Sequence, residues 1–404
     1  MKNNIVRGLN IDRYTGVNSF AIEATITAYT KGEKWLDELR IYLYENKKIV
    51  YDFIEKEIPD LKALKSEATY LMWLDCSNIT KNSSELCNFI RENERGVCMA
   101  KLKPAQIAEV KGKGFLINRG TENFSGRIVP RGTVFSPDDL KTISEISSKF
   151  GNGKVIPTTR LGLEIQGIPY ENVQDAIDYA ESHGLKFGGT GNKIRPITSC
   201  KGTTCVYGNY DTHALAAKLY DEYYIGWADI KLPHKFKIGI GGCPNSCVKP
   251  ALNDFGIEGH RIPKYNSENC KGCKVCMIEK SCPSKAAKLV DGKMVIDENV
   301  CKTCGVCSES KCPFKAVKPH NEVVYQIYVG GTWGKKSRMG TPLSKFVSEE
   351  EIAPILEKTM IWFKLNANQK ERLGVAIDRL GVEKFEKDVL ENDELLEKKD
   401  ILFE

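Results

Sequence analysis

The sequence lacks any apolar run near the roughly 18 residues that a membrane-spanning helix needs. Its first residues, MKNNIVRGLNIDRY, contain no apolar stretch typical of a secretion signal. We therefore expect a cytoplasmic protein with no membrane span. A large excess of one charge is also missing, because 59 Lys and Arg stand against 53 Asp and Glu, for a net charge of +6. This dispersed charge argues against nucleic acid as a partner, although a local basic site for an anionic ligand stays open.

Cysteine is the informative residue of this chain. Of its 15 cysteines, twelve lie between residues 200 and 312, which makes three sets of four. Clustered thiols at short spacings in a cytosolic chain indicate metal binding rather than disulfides. The other three, Cys76, Cys87 and Cys98, stand singly and are expected to be packing residues.

Two cysteine-rich runs, CKGCKVCMIEKSCP at 270–283 and CKTCGVCSESKCP at 301–313, repeat with a period of 31 residues. Between them, Asp291 and Gly292 are flanked by apolar residues and predict a β-hairpin. The runs resemble those of bacterial two-cluster ferredoxins, in which the fourth cysteine of each run ligates the other cluster. Zinc is the alternative, but its sites usually need paired C-x2-C motifs. The resemblance implies two [4Fe-4S] clusters, one held by Cys270, Cys273, Cys276 and Cys312 and the other by Cys301, Cys304, Cys307 and Cys282.

The remaining four cysteines form two pairs, in SCKGTTC at 199–205 and GGCPNSC at 241–247. A fold can bring such pairs together as one tetrathiolate site, which by itself fits zinc as well as a cluster. Lys235 and Lys237 precede the second pair, on what reads as a strand, where alternate residues point to one face. A basic face beside a metal cluster suits a small oxyanion, whereas a solvated edge strand is the alternative.

From about residue 96 onward the chain resembles the sulfite and nitrite reductases that couple siroheme to a [4Fe-4S] cluster. The likeness is to single-repeat anaerobic forms, related to the dissimilatory enzymes, with an inserted ferredoxin module. The motifs that carry it are SCKGTTC, LPHKFKIGIGGCPNSCVKPALNDFGIEG at 232–259, TTRLGLEIQGI at 158–168 and FSGRIVPRG at 124–132. It implies a six-electron reduction of sulfite to sulfide, or of nitrite to ammonia, fed by reduced ferredoxin or another low-potential donor. The single copy of the reductase half implies a second protomer, identical or paralogous, that completes the site.

The same resemblance implies roles for individual residues. Four cysteines would hold the siroheme-coupled cluster, and Cys247 would also be the axial ligand of the siroheme iron; the four are Cys200, Cys205, Cys243 and Cys247. Four basic side chains would bind sulfite: Lys235, Lys237, Arg160 and Arg127, with Arg131 as the alternative to Arg127. Siroheme carboxylates would meet GGTGNKIR at 188–195 and VGGTWGKKSR at 329–338, where the candidates are Arg195, Gly330 and Gly331.

Residues 1–95 resemble a carboxy-terminal fragment of PLP-dependent cystathionine β-lyase-like enzymes of the aminotransferase superfamily. GEKWLDELRIYL and TYLMWLDC carry this likeness. The Schiff-base lysine lies upstream of the matched region in that family and has no equivalent here, so PLP is not expected as a cofactor. Three interpretations of this segment remain: a fusion remnant, a misjoined reading frame and a docking domain.

We therefore expect an α+β protein of four parts. These are an α/β aminotransferase-like fragment at 1–95, a ferredoxin-like reductase half at 96–190, a siroheme and [4Fe-4S] domain at 191–262 and 318–404, and a two-cluster ferredoxin insert at 263–317. Helices are predicted at 137–150, with Ser136 and Asp139 as the N-terminal cap, and near 169–184. The charged segment 382–400 is predicted to be a helix with a solvated face. An iron-sulfur electron-transfer subunit without siroheme is the second hypothesis for function, and a PLP-dependent C-S lyase relic is the third.

Overall fold

The computed structural model describes residues 19–66, 70–87 and 102–404, with side chains from residue 25 onward. The chain divides into two compact units, Met1–Met99 and Ala100–Glu404. The predicted boundary at 95/96 and the single cysteine Cys98 lie outside the described residues. No helix in the described ranges is both long and apolar enough to cross a bilayer.

The first unit consists of two helices, α1 (Ser19–Lys31) and α2 (Glu33–Glu57), and a short hairpin of β1 (Lys62–Leu64) and β2 (Trp73–Asp75). Apolar residues recur at intervals of about three and four over residues 18–58, which predicts helical structure from the sequence alone. The two helices confirm this prediction, with a break at Gly32. The Tyr51 hydroxyl donates to the Leu64 carbonyl at 3.0 Å, which ties α2 to the start of the hairpin.

The helices and strands of the second unit have the following bounds. The helices are α3 (Pro104–Gly112), α4 (Pro137–Phe150), α5 (Val173–Ser182), α6 (Thr212–Leu219), α7 (Met277–Ser281), α8 (Glu349–Asn366), α9 (Leu373–Leu380) and α10 (Val382–Leu390), and the strands are β3 (Phe115–Ile117), β4 (Asn123–Ile128), β5 (Val155–Pro157), β6 (Leu163–Pro169), β7 (Thr198–Ser199), β8 (Ile238–Gly241), β9 (Phe255–His260), β10 (Ala287–Val290), β11 (Lys293–Ile296), β12 (Val324–Val329) and β13 (Thr341–Pro342).

The second unit begins with a four-stranded antiparallel sheet in the order β3-β4-β6-β5. Two helices, α4 and α5, pack against one another beside this sheet, and isoleucines such as Ile146 and Ile165 are fully buried between them. The predicted cap of α4 is confirmed, because the Asp139 N–H donates to Ser136 Oγ at 3.1 Å and the Ser136 N–H donates to Asp139 Oδ2 at 2.7 Å.

A five-stranded sheet follows in the order β13-β12-β9-β8-β7, in which β8 runs parallel to both neighbours. In the pairing of β9 with β12, His260 lies opposite Val324. Residues 261–323 therefore form an insertion between two adjacent strands of this sheet. Helix α8 places the fully buried side chains of Met360, Trp362 and Phe363 in the same hydrophobic core as the apolar residues of β8, β9 and β12.

The segment between β9 and β12 contains the predicted hairpin. β10 pairs with β11 in antiparallel register, and the turn residues Asp291 and Gly292 have φ values of 48° and 74°. Positive φ at both central residues is the mark of a type I′ turn, for which Asp-Gly is suited. The hairpin prediction is therefore confirmed.

The prediction of one solvated helix over 382–400 is wrong. Helix α10 ends at Leu390, and a separate 3-10 helix spans Asp393–Leu402. Phe385 and Val389 are fully buried, since their spacing of four residues places both on the face of α10 that meets the core. The many charged residues of this segment hid the apolar spacing of Phe385 and Val389 from the sequence prediction.

Candidate active site

A cavity of about 220 Å³ collects basic side chains from separate parts of the second unit. Its lining among the described residues includes no Asp or Glu. This basic cavity is therefore suited to an anion. The five cations that line it are Arg127 from β4, Arg160 from the β5–β6 loop, Arg195 from the segment before β7, and Lys235 and Lys237 from the segment before β8.

The two lysines reach the basic cavity because the chain is extended around Phe236. Phe236 is fully buried and forms a parallel bridge with Ile194, and its carbonyl accepts from the Arg195 N–H at 2.7 Å. Alternation along an extended chain then places Lys235 and Lys237 on the opposite side from Phe236.

Only one of the two candidate arginines of FSGRIVPRG lines this cavity. Arg127 lies there, and its Nε is 2.6 Å from Glu164 Oε2 on the neighbouring strand β6. Arg131 is exposed and forms a salt bridge with Asp221 at 2.6 Å, outside the lining of the cavity.

Arg160 and Arg195 are held by backbone carbonyls rather than by carboxylates. Arg160 donates through Nε to the Pro196 carbonyl at 2.8 Å and through Nη2 to the Ile238 carbonyl at 2.9 Å. Burial lowers the pKa of Arg160 to about 10. Arg195 donates through Nη1 to the Gly189 carbonyl, while its buried Nε has no hydrogen-bond partner in the described part of the chain. Because an unpaired buried N–H is costly, an acceptor from outside the chain would stabilise this side chain.

The cations of the cavity also act on one another. Burial, followed by the charge of Arg160, lowers the pKa of Lys237 to about 8. Burial and the charge of Arg372 lower the pKa of Lys235. The nearby fully buried Asp254 is already bound by Arg372 at 2.8 Å, and neither Asp254 nor Glu164, the partner of Arg127, lines the cavity. Asp254 and Arg372 carried no local signal in the sequence, since they meet only in the fold.

A second cavity, of about 400 Å³, adjoins the first and contains Cys247. Arg160 and Lys237 line both cavities. Lys249 and Trp333 also line the second cavity, with the Lys249 ammonium 5.0 Å from the centre of the indole ring. Basic side chains and a thiol thus line two adjoining cavities.

The four cysteines of the two separated pairs face one another. The Gly242 N–H donates to Cys200 Sγ at 3.2 Å. Burial raises the pKa of Cys243, and the thiols of Cys200, Cys247 and Cys205 add to this rise. Parallel pairing of β7 with β8 brings the two loops together, because each pair follows the end of one of these strands.

The eight cysteines of residues 270–312 line two further cavities. Each cavity takes three cysteines from one run and the last cysteine of the other run. The Cys270 cavity is lined by Cys270, Cys273, Cys276 and Cys312, and the Cys282 cavity is lined by Cys282, Cys301, Cys304 and Cys307.

Gly330 and Gly331 do not line either of the two adjoining cavities. The Gly330 N–H donates to the Asp254 carbonyl at 2.8 Å, and a Cβ on Gly331 would lie 2.2 Å from the Ala251 carbonyl oxygen. These glycines therefore allow a close backbone approach, and a role in cofactor binding stays a prediction.

Comparison with known families gives two matches in the second unit. Residues 190–398, just over half of the chain, match the nitrite and sulphite reductase 4Fe-4S domain. Residues 118–183 match the nitrite/sulfite reductase ferredoxin-like half domain.

Individual relatives are similar over about two thirds of the chain. The chain is 34% identical over 263 residues to the coenzyme F420-dependent sulfite reductase of Methanocaldococcus jannaschii, a match that covers 64% of this chain and 41% of that protein. It is 29% identical over 300 residues to one of the subunits of the anaerobic sulfite reductase of Salmonella typhimurium, a match that covers 67% of this chain and 84% of that protein. A separate match, 35% identical over 106 residues, is to cystathionine beta-lyase PatB of Bacillus subtilis and covers 26% of each chain.

A solved structure of dissimilatory sulfite reductase I has a similar fold. It superposes with a TM-score of 0.54 at 20% identity and covers 76% of this chain and 85% of that chain.

Proposed function

Since the chain belongs to the nitrite and sulphite reductase family, we propose that it is a siroheme-dependent sulfite reductase that converts sulfite to sulfide. Nitrite, reduced to ammonia, is the alternative substrate. The proposal includes three [4Fe-4S] clusters, a reduced ferredoxin or other low-potential donor, and a cytoplasmic location.

The observation that supports the proposal is that five cations and the Cys247 thiol line adjoining cavities. Arg160 and Lys237 line the basic cavity and the Cys247 cavity alike. A pure electron carrier has no use for a cavity with five cations. This difference favours the reductase over the alternative of an electron-transfer subunit without siroheme.

The residues present fit siroheme and its coupled cluster. Siroheme carries eight carboxylates, and the unpaired Nε of Arg195 is a donor that one of them would satisfy. Cys200, Cys205, Cys243 and Cys247 would hold the cluster, and the Cys247 thiolate would also bind the siroheme iron. When bound, siroheme supplies the redox-active iron at which sulfite is reduced.

The side chains of the basic cavity would bind and protonate the substrate. Arg127 and Arg160 would each bind an oxygen of the dianion through a charge-assisted hydrogen bond, because a guanidinium has five N–H donors and the protein partners of these two side chains occupy only some of them. Lys237, with its pKa lowered to about 8, would hold a proton at neutral pH and release it readily. Lys235 would add a second ammonium. Six electrons and seven protons convert the sulfite dianion to hydrosulfide and three waters, so donated protons let each oxygen leave as water.

The eight cysteines of residues 263–317 would hold two clusters, whose chemistry when bound is one-electron transfer. The crossed lining of the Cys270 and Cys282 cavities supports two ferredoxin-type clusters. A second protomer, identical or paralogous, would complete the substrate site, in keeping with the single copy of the reductase half.

Anaerobic purification tests the proposal. We expect about twelve cluster irons and one siroheme iron per chain, with sulfide formed from sulfite when reduced methyl viologen supplies electrons. Full cluster iron without siroheme absorption after reconstitution would refute the proposal in favour of the electron-transfer subunit. Ammonia from nitrite at a higher kcat/KM than sulfide from sulfite would make nitrite the preferred substrate.

A further inference from the structure

The two cavities of the insert have different surroundings. Every residue that lines the Cys270 cavity lies between residues 270 and 316, within the insert itself. The Cys282 cavity is also lined by Arg261 and Pro263, which follow directly on strand β9 of the reductase sheet. The Cys282 cavity is therefore the one that borders the reductase domain.

Hydrogen bonds continue from the Cys282 cavity to the loops of the third cysteine set. The Arg261 N–H donates to the Thr303 carbonyl at 2.9 Å, and Arg261 Nη2 donates to the Asn209 carbonyl at 2.9 Å. The Asn209 N–H donates to the Gly242 carbonyl at 2.9 Å, directly before Cys243. Electrons that enter at the Cys270 cavity would thus pass the Cys282 cavity before they reach the substrate site.

The rim of the Cys270 cavity combines exposed apolar side chains with lysines. Val275, Met277 and Phe314 line it and are 64%, 48% and 45% exposed. Lys271 and Lys311 line the same cavity. We refer to these five residues as the entry patch. Residues 263–317 contain ten lysines against six Asp and Glu, an excess of four positive side chains.

We propose that the entry patch docks a small acidic one-electron carrier protein. The inference rests on the proposed function and assigns a place to its electron donor. Lysines around an apolar centre attract an acidic partner, and the apolar side chains then form a contact that excludes water. Interfaces between redox proteins are small, so a patch of this size is sufficient. In each encounter the reduced carrier loses one electron and the oxidised cluster of the Cys270 cavity gains it, so six encounters supply one sulfite.

Calorimetric titration of the cluster-loaded chain with an acidic bacterial two-cluster ferredoxin tests the patch. Lys271→Glu with Lys311→Glu should raise Kd roughly tenfold at about 0.05 M salt, and the difference should shrink at about 0.5 M, where screening is strong. The matched control, Lys302→Glu with Lys318→Glu, changes the same charge on exposed residues outside the lining of the Cys270 cavity and should leave Kd within about twofold. Equal weakening by both pairs, or none by either, would overturn the proposal.

The substitution Phe314→Ser tests the apolar part of the entry patch independently, because it should weaken ferredoxin binding at both salt concentrations. Sedimentation of the chain alone is the companion measurement. A dimer that Phe314→Ser dissociates would show that the patch binds a second copy and would also overturn the proposal. If the parent chain binds ferredoxin at the patch but forms no sulfide with methyl viologen, the proposed function fails while the docking surface stands.

Discussion

The positive charge of Lys237 destabilises the folded chain, and the substitution Lys237→Met measures this destabilisation. Burial, with the charge of Arg160 next, lowers the pKa of Lys237 from 10.5 to about 8. At 1.36 kcal/mol per pKa unit, this shift sets an upper limit of about 3.4 kcal/mol. Because the side chain is only half-buried, solvent screening reduces the expected effect to about 1 to 2 kcal/mol.

The pH dependence of this effect has a definite sign. The pKa is lower in the folded chain, so between pH 8 and 10.5 the unfolded chain retains a proton that the folded chain has released. The destabilisation by Lys237 is therefore complete below about pH 8 and disappears as the pH rises to 10.5. Lys237→Met should be the more stable protein at pH 7 by about 1 to 2 kcal/mol, which corresponds to a Tm increase of about 2 to 6 °C.

Scanning calorimetry of protein prepared without siroheme, at pH 7 and pH 10.5, is the assay. Lys335→Met is the matched control, since Lys335 is exposed and should give no gain at either pH. In the loaded protein, Lys237→Met should lower kcat/KM for sulfite by about 10- to 100-fold, because the proposed sulfite site loses one of its cations. A stability gain that persists at pH 10.5, or sulfite reduction as fast as in the parent, would refute the reasoning.

The remaining predictions concern the cysteine sets, the buried ion pair and the carboxy-terminal helices. Cys282→Ser and Cys301→Ser, alone or together, should lower the iron content by the same roughly four atoms, because both side chains line one cavity. Arg372→Met leaves the fully buried Asp254 without its partner and should lower the free energy of unfolding in urea by about 3 to 5 kcal/mol. Phe385→Ala removes a fully buried ring and should lower the same free energy by about 3 to 5 kcal/mol.

Each of these predictions has an internal control. Cys270→Ser added to Cys282→Ser should double the loss of iron, since the two thiols line different cavities; a loss of only one cluster would contradict the crossed assignment. Arg372→Met with Asp254→Asn should recover part of the stability, because no unpaired charge remains buried. Lys384→Ala, on the exposed side of α10, should change the free energy of unfolding by less than about 0.5 kcal/mol, and a cost like that of Phe385→Ala would contradict the buried stripe.

Local rules determined much of the fold in advance. The Asp291-Gly292 turn, the Ser136–Asp139 cap and the helices of residues 19–57 were all predicted from neighbours within a few positions, and all are present. Such elements depend on φ preferences, capping bonds and apolar spacing that a short segment carries by itself. The charged segment 382–400 was mistaken because composition hid the spacing of Phe385 and Val389.

The sequence by itself determined which residue types the site would use: three sets of four cysteines, the Lys235 and Lys237 pair, and arginines in two motifs. Only the tertiary structure decided that Arg127 lines the basic cavity while Arg131 pairs with Asp221 outside it. It also decided that Asp254 is neutralised by Arg372, 118 positions away, which leaves the cavity cationic. Ligand motifs are local because their chemistry needs fixed short spacings, whereas the charge of a site depends on every residue that the fold brings near it.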